Sequence, residues 1–152
     1  MIKDIFSQEV AQEVISRINK LQPDTPRQWG KMDVSQMLAH CNVTYGYTYE
    51  PEKFQRPNAF KRFILKAIVK PYVTGPKPYK AGVHTAPDFI IRDAREFQLE
   101  KEKLVANIEK TQKLGSAFFE GKENFSFGKM SADQWNTLFY KHLDHHLRQF
   151  GV

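Results

Sequence analysis

An all-α fold, a bundle of four long helices with one long crossover connection, is what this chain of 152 residues predicts. Three observations point there. Capping-box signatures stand at Asp33–Gln36, Asp93–Glu96 and Ser131–Gln134, each ahead of an apolar run of helical period. No stretch alternates apolar and polar residues as a half-buried strand would. The connection from about Glu50 to Arg92 far exceeds the roughly two to eight residues usual between antiparallel helices, which gives room for a crossover running the length of a bundle. With 41% apolar and 13% aromatic residues, the chain has enough for one substantial core and too little length for two, so a single domain over 1–152 is expected.

The first helix is expected over 7–21, where Val10, Val14, Ile18 and Leu21 recur at helical spacing and Glu9, Glu13, Arg17 and Lys20 take the wet face. Pro23 and Pro26 then deny the backbone a continuation. The second helix, 33–48, opens with Asp33 as N-cap, Gln36 at N3, and Met32 placed to staple against Met37. Within the link, 58–70 reads as a short extra helix; 71–87, with Pro71, Pro76, Pro78, Pro87, Gly75 and Gly82, reads as irregular chain of the kind that often covers a site. A third long helix is expected over 93–114, opened by Asp93 and Glu96 and ended by Gly115. The fourth, 132–150, repeats the opening of the second: GKMSADQW against GKMDVSQM, with Ser131 as cap, Gln134 at N3, and Met130 facing Trp135. Capping chemistry accounts for that similarity in full.

The N-terminus has no apolar run after a basic start, and the most apolar stretch, Phe63 to Val69, is short and interrupted by Lys66, so neither a secretory signal nor a membrane span is expected. One cysteine, Cys41, excludes an internal disulfide and fits a cytoplasmic location. The net charge of +6 is regional: Lys53, Arg56, Lys61, Arg62, Lys66, Lys70, Lys77 and Lys80 lie in a stretch without an acid, and the rest of the chain has slightly more acids than bases.

His142 and His146 stand four apart in the last helix, one turn apart on nearly the same face, as two imidazoles must be to share one ion. His40, on the second helix with Met37 and Val43 at i−3 and i+3, points where the core points and is the candidate third ligand. Three imidazoles leave a divalent ion with a position for water or substrate, whereas structural zinc sites are usually closed by four protein ligands. Zinc is the first choice, and imidazole also suits nickel, iron and copper. Such an ion lowers the pKa of a bound water or thiol and makes a nucleophile at neutral pH.

The order of these histidines, the run Trp29 to His40 (WGKMDVSQMLAH) and the closing run His142 to Gly151 (HLDHHLRQFG) resemble the DinB-like metalloenzyme superfamily, in an uncharacterised branch, over nearly the whole chain. The resemblance implies a four-helix bundle whose second and third long helices run the same way, and a divalent metal on His40, His142 and His146. It also implies a small-molecule substrate: the best understood members work with low-molecular-weight thiols, as S-transferases or thiol-dependent isomerases. A homodimer is compatible with it.

Other residues have plainer readings. His145 lies about 100° from His146 and flanks the site or is exposed; Gln149 falls on the histidine stripe, as a donor behind a ligand or as a helix-end residue in solvent. Asp144 and Arg148 make a surface ion pair, His84 is an exposed loop residue outside the family pattern, and Cys41 is a packed small residue, since helix neighbours diverge too far for a Cys–His nucleophile. Phe54, Phe60, Phe63, Tyr72 and Tyr79 interleave with the basic residues of the link. That raises a rival reading, a basic binding module for nucleic acid or an anionic membrane surface whose metal is purely structural. No recognised nucleic-acid motif accompanies it. Under the enzyme reading the same charges attract an anionic cosubstrate.

Overall fold

The computed structural model describes residues 1–83 and 85–152, so His84 lies outside the described residues. The chain is mostly helical: α1 (Gln8–Asn19), α2 (Val34–Tyr49), α3 (Ala59–Ile64), α4 (Lys70–Thr74), α5 (Phe97–Phe119) and α6 (Ala132–Gln149). A small antiparallel hairpin, β1 (Glu123–Asn124) with β2 (Gly128–Lys129), precedes α6. Two of the expected capping boxes are present in full. Asp33 with Gln36 opens α2, and Ser131 with Gln134 opens α6, each pair exchanging side-chain and backbone hydrogen bonds.

Hydrogen bonds and ring contacts fix the directions in which the long helices pass one another. Between α2 and α5, Gln36 meets Asp93, Asn42 meets Glu100 and Asn107, and Tyr49 meets Thr111, so both helices run the same way. α6 runs against α2, since His40 faces His146 while Tyr45 stacks on Phe139. It runs with α1, because Asn136 accepts from the Ile5 amide and Asp144 pairs with Arg17. Two adjacent antiparallel helices need only a turn; α2 and α5, running together, need a return along their own length. That is the physical demand the link meets.

Trp135, Phe139, Phe119 and Tyr45 are fully buried and in ring contact along α2, the end of α5 and α6, and α1 closes the core with Val14, Ile15 and Ile18. On α2 the stripe Met37, Cys41, Tyr45 enters this core, while His40 and Thr44, also four apart, form a second buried stripe. Burial pushes the Cys41 thiol well up, and its Sγ lies 3.8 Å from the Met37 Sδ, so it is a packed and unreactive group.

Four expectations are corrected. The box at Asp93 does not form: the Asp93 carboxylate is held by Arg95 at 3.1 Å, and Glu96 caps the helix in its place through the Gln98 and Leu99 amides. Gly115 does break α5, at φ 71, but one further helical turn follows through Phe119. The link helix continues past Pro71 to Thr74, because a π turn over Leu65–Val69 widens the backbone just where the proline ring would clash with the preceding turn. The hairpin has two residues per strand, too few for any alternation to show in the sequence.

Candidate metal centre

The capping boxes set the registers of α2 and α6 from outside the site, and the core stripes then lock both rotations, so the histidine faces are turned toward each other. Nε2 of His40 lies 2.9 Å from Nε2 of His142. The ring centres of His40 and His146 are 4.4 Å apart, those of His142 and His146 4.8 Å. One nitrogen of each ring falls within 4.8 Å of the others, close enough for all three to hold one metal ion.

Behind each ring stands a partner on Nδ1. His40 donates from Nδ1 to the Phe89 carbonyl at 2.8 Å, and since a carbonyl only accepts, Nε2 keeps its lone pair for the centre of the cluster. His146 meets Gln149 Oε1 through Nδ1 at 2.8 Å, and the Gln149 amide is fixed that way round because its Nε2 donates to the Trp29 carbonyl at 2.8 Å. His142 meets the Thr44 hydroxyl through Nδ1 at 3.1 Å, and a hydroxyl can accept or donate. Two lone pairs cannot face each other at the 2.9 Å separating His40 from His142, so a proton or a cation belongs between them. Thr44 permits either. Such partners orient ligating imidazoles and make them more basic toward a metal, and the three donors are of a type that zinc and its neighbours accept.

Burial, reinforced by the neighbouring imidazoles, drives the His142 pKa well below its usual value and that of His146 down to about 3; burial also lowers His40. All three are therefore neutral, the form that binds metal. His142 alone of the three is only partly buried, so the approach to the cluster passes its ring.

These shifts set an acid limit on stability. In the unfolded chain a histidine titrates near 6.5, in the folded chain His146 only near 3, so between those values the unfolded state binds more protons and folding weakens as pH falls. Urea midpoints for metal-free protein should be flat above neutrality and decline from about pH 6.5 to about pH 5, ahead of carboxylate protonation. A constant midpoint across that window would mean that the rings are not held neutral.

His145 does not join the cluster. It is half-buried against the His146 ring, between Trp29 and Tyr79, and borders a cavity of about 230 Å³ lined also by Lys141 and Arg148. Asp144 pairs with Arg148 at 3.0 Å, as expected, but also with Arg17 of α1 at 2.9 Å, so it is a brace between helices as well as a surface ion. Gln149 is buried and hydrogen-bonded to His146, so of its two readings the helix-end residue in solvent is excluded.

Sequence reasoning missed Thr44, Lys141 and the carbonyls of Phe89 and Trp29. Thr44 was findable, four residues past His40 on one face. Lys141 is buried and donates to the carbonyls of Tyr72, Gly75 and Lys77 at 2.7, 2.7 and 3.1 Å, pinning the link onto α6 one residue from His142. Burial lowers its pKa to about 8, while three acceptors match the three protons of an ammonium, so it is charged near neutrality. Neighbouring tyrosines at 4.5 and 5.6 Å cover it.

No curated protein and no solved structure matches the chain. Residues 6–151 match the family model described as protein of unknown function (DUF1569), a span that takes in α1, α2, the link, α5, α6 and every member of the histidine cluster. The chain is a member of that family.

Proposed function

We propose that this chain is a divalent-metal-dependent enzyme of DinB-like architecture, a single four-helix-bundle domain over 1–152 with His40, His142 and His146 as ligands and zinc as the preferred ion. The observation that carries the reading is the convergence of three neutral imidazoles whose outer nitrogens are each held by a separate partner, Phe89, Thr44 and Gln149. A merely satisfied core histidine needs no such convergence. With three neutral ligands the ion keeps its full charge, and when bound it supplies Lewis acidity toward an anionic or ionisable group in its remaining position.

The protein's own contributions follow from the geometry. Phe89, Thr44 and Gln149 hold the ligand rings in place, the Thr44 hydroxyl accepts a hydrogen bond from His142 Nδ1 when Nε2 is engaged, and the Phe89 ring packs edge-on against both His40 and His142. The link, held by Lys141, brings Tyr72 and Tyr79 beside α6. The substrate class we infer is a small electrophile, with a low-molecular-weight thiol or water as the nucleophile, in S-transfer or a related isomerisation or hydrolysis. A location in a reducing cytoplasm suits the single buried Cys41.

The test is elemental analysis of untagged protein, followed by turnover assays over thiols paired with electrophiles and over hydrolysable esters and amides. Near-stoichiometric metal, with turnover lost to a chelator and restored by zinc, is the expected result. Wild-type protein that binds no divalent ion in calorimetry would end the proposal. Metal binding without turnover on any of the panel would favour a structural role for the ion.

A further inference from the structure

The segment from Ala59 to Thr74, α3 through the π turn to α4, is one helical stretch that carries an apolar face on its outer side. At about 100° per residue Phe60, Phe63, Ile64 and Ile68 share a face. In a helix packed on a core that face would be inside. Here Phe60, Phe63 and Ile68 are 74%, 69% and 67% exposed, and Ile64 and Tyr72 are exposed as well. The opposite side is turned to the protein: Leu65, Val69 and Val73 are partly buried, Arg62 pairs with Glu123, Lys70 donates from Nζ to the Lys129 carbonyl at 2.7 Å, and the end of the Lys66 side chain lies close over Gly128. Together these hold the helix in the orientation that leaves its outer apolar face in water.

The chemistry of the segment says what should cover that face. From Lys53 to Lys80 it carries eight basic residues and no acid, and Arg56, Lys61, Lys66, Lys77 and Lys80 are exposed. A second copy of this chain would bring the same positive charge against itself. Nucleic acid would meet the cations but leave Ile64 and Ile68 with nothing apolar to bury them. An anionic bilayer surface satisfies both halves, taking aromatic and aliphatic side chains into the headgroup boundary while its negative potential attracts the lysines.

We propose that Ala59–Thr74 docks this protein on the surface of an anionic membrane. The contact is peripheral, since among the described residues no helix is long and apolar enough to cross a bilayer. It does not rest on the enzymatic reading, and either can fail without the other. The same segment continues into Tyr72 and Gly75, whose carbonyls Lys141 holds beside His142, so a docked helix would set the link and the histidine cluster near the bilayer surface.

The experiment is co-sedimentation of the full chain with vesicles of phosphatidylcholine alone and of phosphatidylcholine with phosphatidylglycerol, at low and high salt. The partition onto anionic vesicles should exceed that onto neutral ones by about tenfold or more and fall with salt. The triple variant Phe60→Ser, Phe63→Ser, Ile68→Ser should lose the binding while keeping wild-type circular dichroism, since the residues removed are already in water. A single Phe63→Trp variant, which preserves the face, should show emission shifted to the blue on adding anionic vesicles. Absence of vesicle binding by the wild type, equal binding by the triple variant, or no emission shift would overturn the proposal. So would a dimer in sedimentation equilibrium that the triple variant dissolves, or duplex DNA binding that competes away the vesicles.

Discussion

Zinc binding should disappear when His40, His142 or His146 is replaced by Ala, and persist when His145 is. The rings that converge are the first three; His145 meets His146 edge-on from outside and contributes no nitrogen to the cluster. Two-ligand remnants hold zinc poorly because the missing nitrogen cannot be supplied by a neighbour, and His145 is turned toward Trp29 and Tyr79. Gln149→Leu is expected to lie between these extremes, weakening affinity by about 10–100-fold, since it frees the His146 ring to rotate without removing a ligand. Calorimetry reads the affinities directly. Thermal melting gives an independent measure: at zinc about a hundredfold above Kd, binding adds about 2.7 kcal/mol to wild-type stability and nothing to a variant that cannot bind. Loss of binding in His145→Ala with retention in His142→Ala would show that the face of α6 has been assigned wrongly.

The second large effect is on folding. Trp135→Ala should destabilise the protein by about 3–5 kcal/mol, the range for truncating a large aromatic in a packed core. At this chain length that corresponds to a fall in Tm of roughly 10 °C. Trp135 has no exposed surface, stacks on Phe139 at 5.4 Å and meets Phe119 at 5.5 Å, so its removal opens a void between α5 and α6 that neither ring can fill. The same substitution should weaken zinc binding less than it weakens folding, because the cavity lies near the start of α6 and the histidines in its second half. Leu99→Ala, at a side chain 62% exposed, is the control and should change stability by no more than about 0.5 kcal/mol. A similar loss from both variants would mean that the aromatic cluster is not the core of the fold.

Much of the architecture is written in local pattern. Capping chemistry at Asp33 and Ser131 acts within four residues and is readable as sequence, and so is the 3.6-residue stripe that turns Met37, Cys41 and Tyr45 inward. The i,i+4 spacing of His142 and His146 belongs to the same class. Where a second local signal competed, the pattern misled: Asp93 had the form of a cap, but Arg95 two residues on offered its carboxylate a charged partner, and the helix began at Phe97. Pro71 read as a helix end because the π turn that accommodates it leaves no mark in residue types.

The sequence by itself determined which residues would be helical, which faces would be apolar, and that three histidines were available on two of the helices. Only the tertiary structure decided that those histidines meet, because their approach depends on the crossing of α2 and α6, which is fixed by packing among residues far apart in the chain. It also decided what holds each ring. Two of those holds end on main-chain carbonyls, of Phe89 for His40 and of Trp29 for Gln149, and every residue has a carbonyl, so no choice of side chain announces which one will be used. The outward turn of Phe60, Phe63 and Ile68 is of the same kind. Periodicity marks an apolar face on that helix but not its direction, and the direction is settled by partial burial of Leu65, Val69 and Val73 together with the contacts of Arg62, Lys66 and Lys70 to the hairpin.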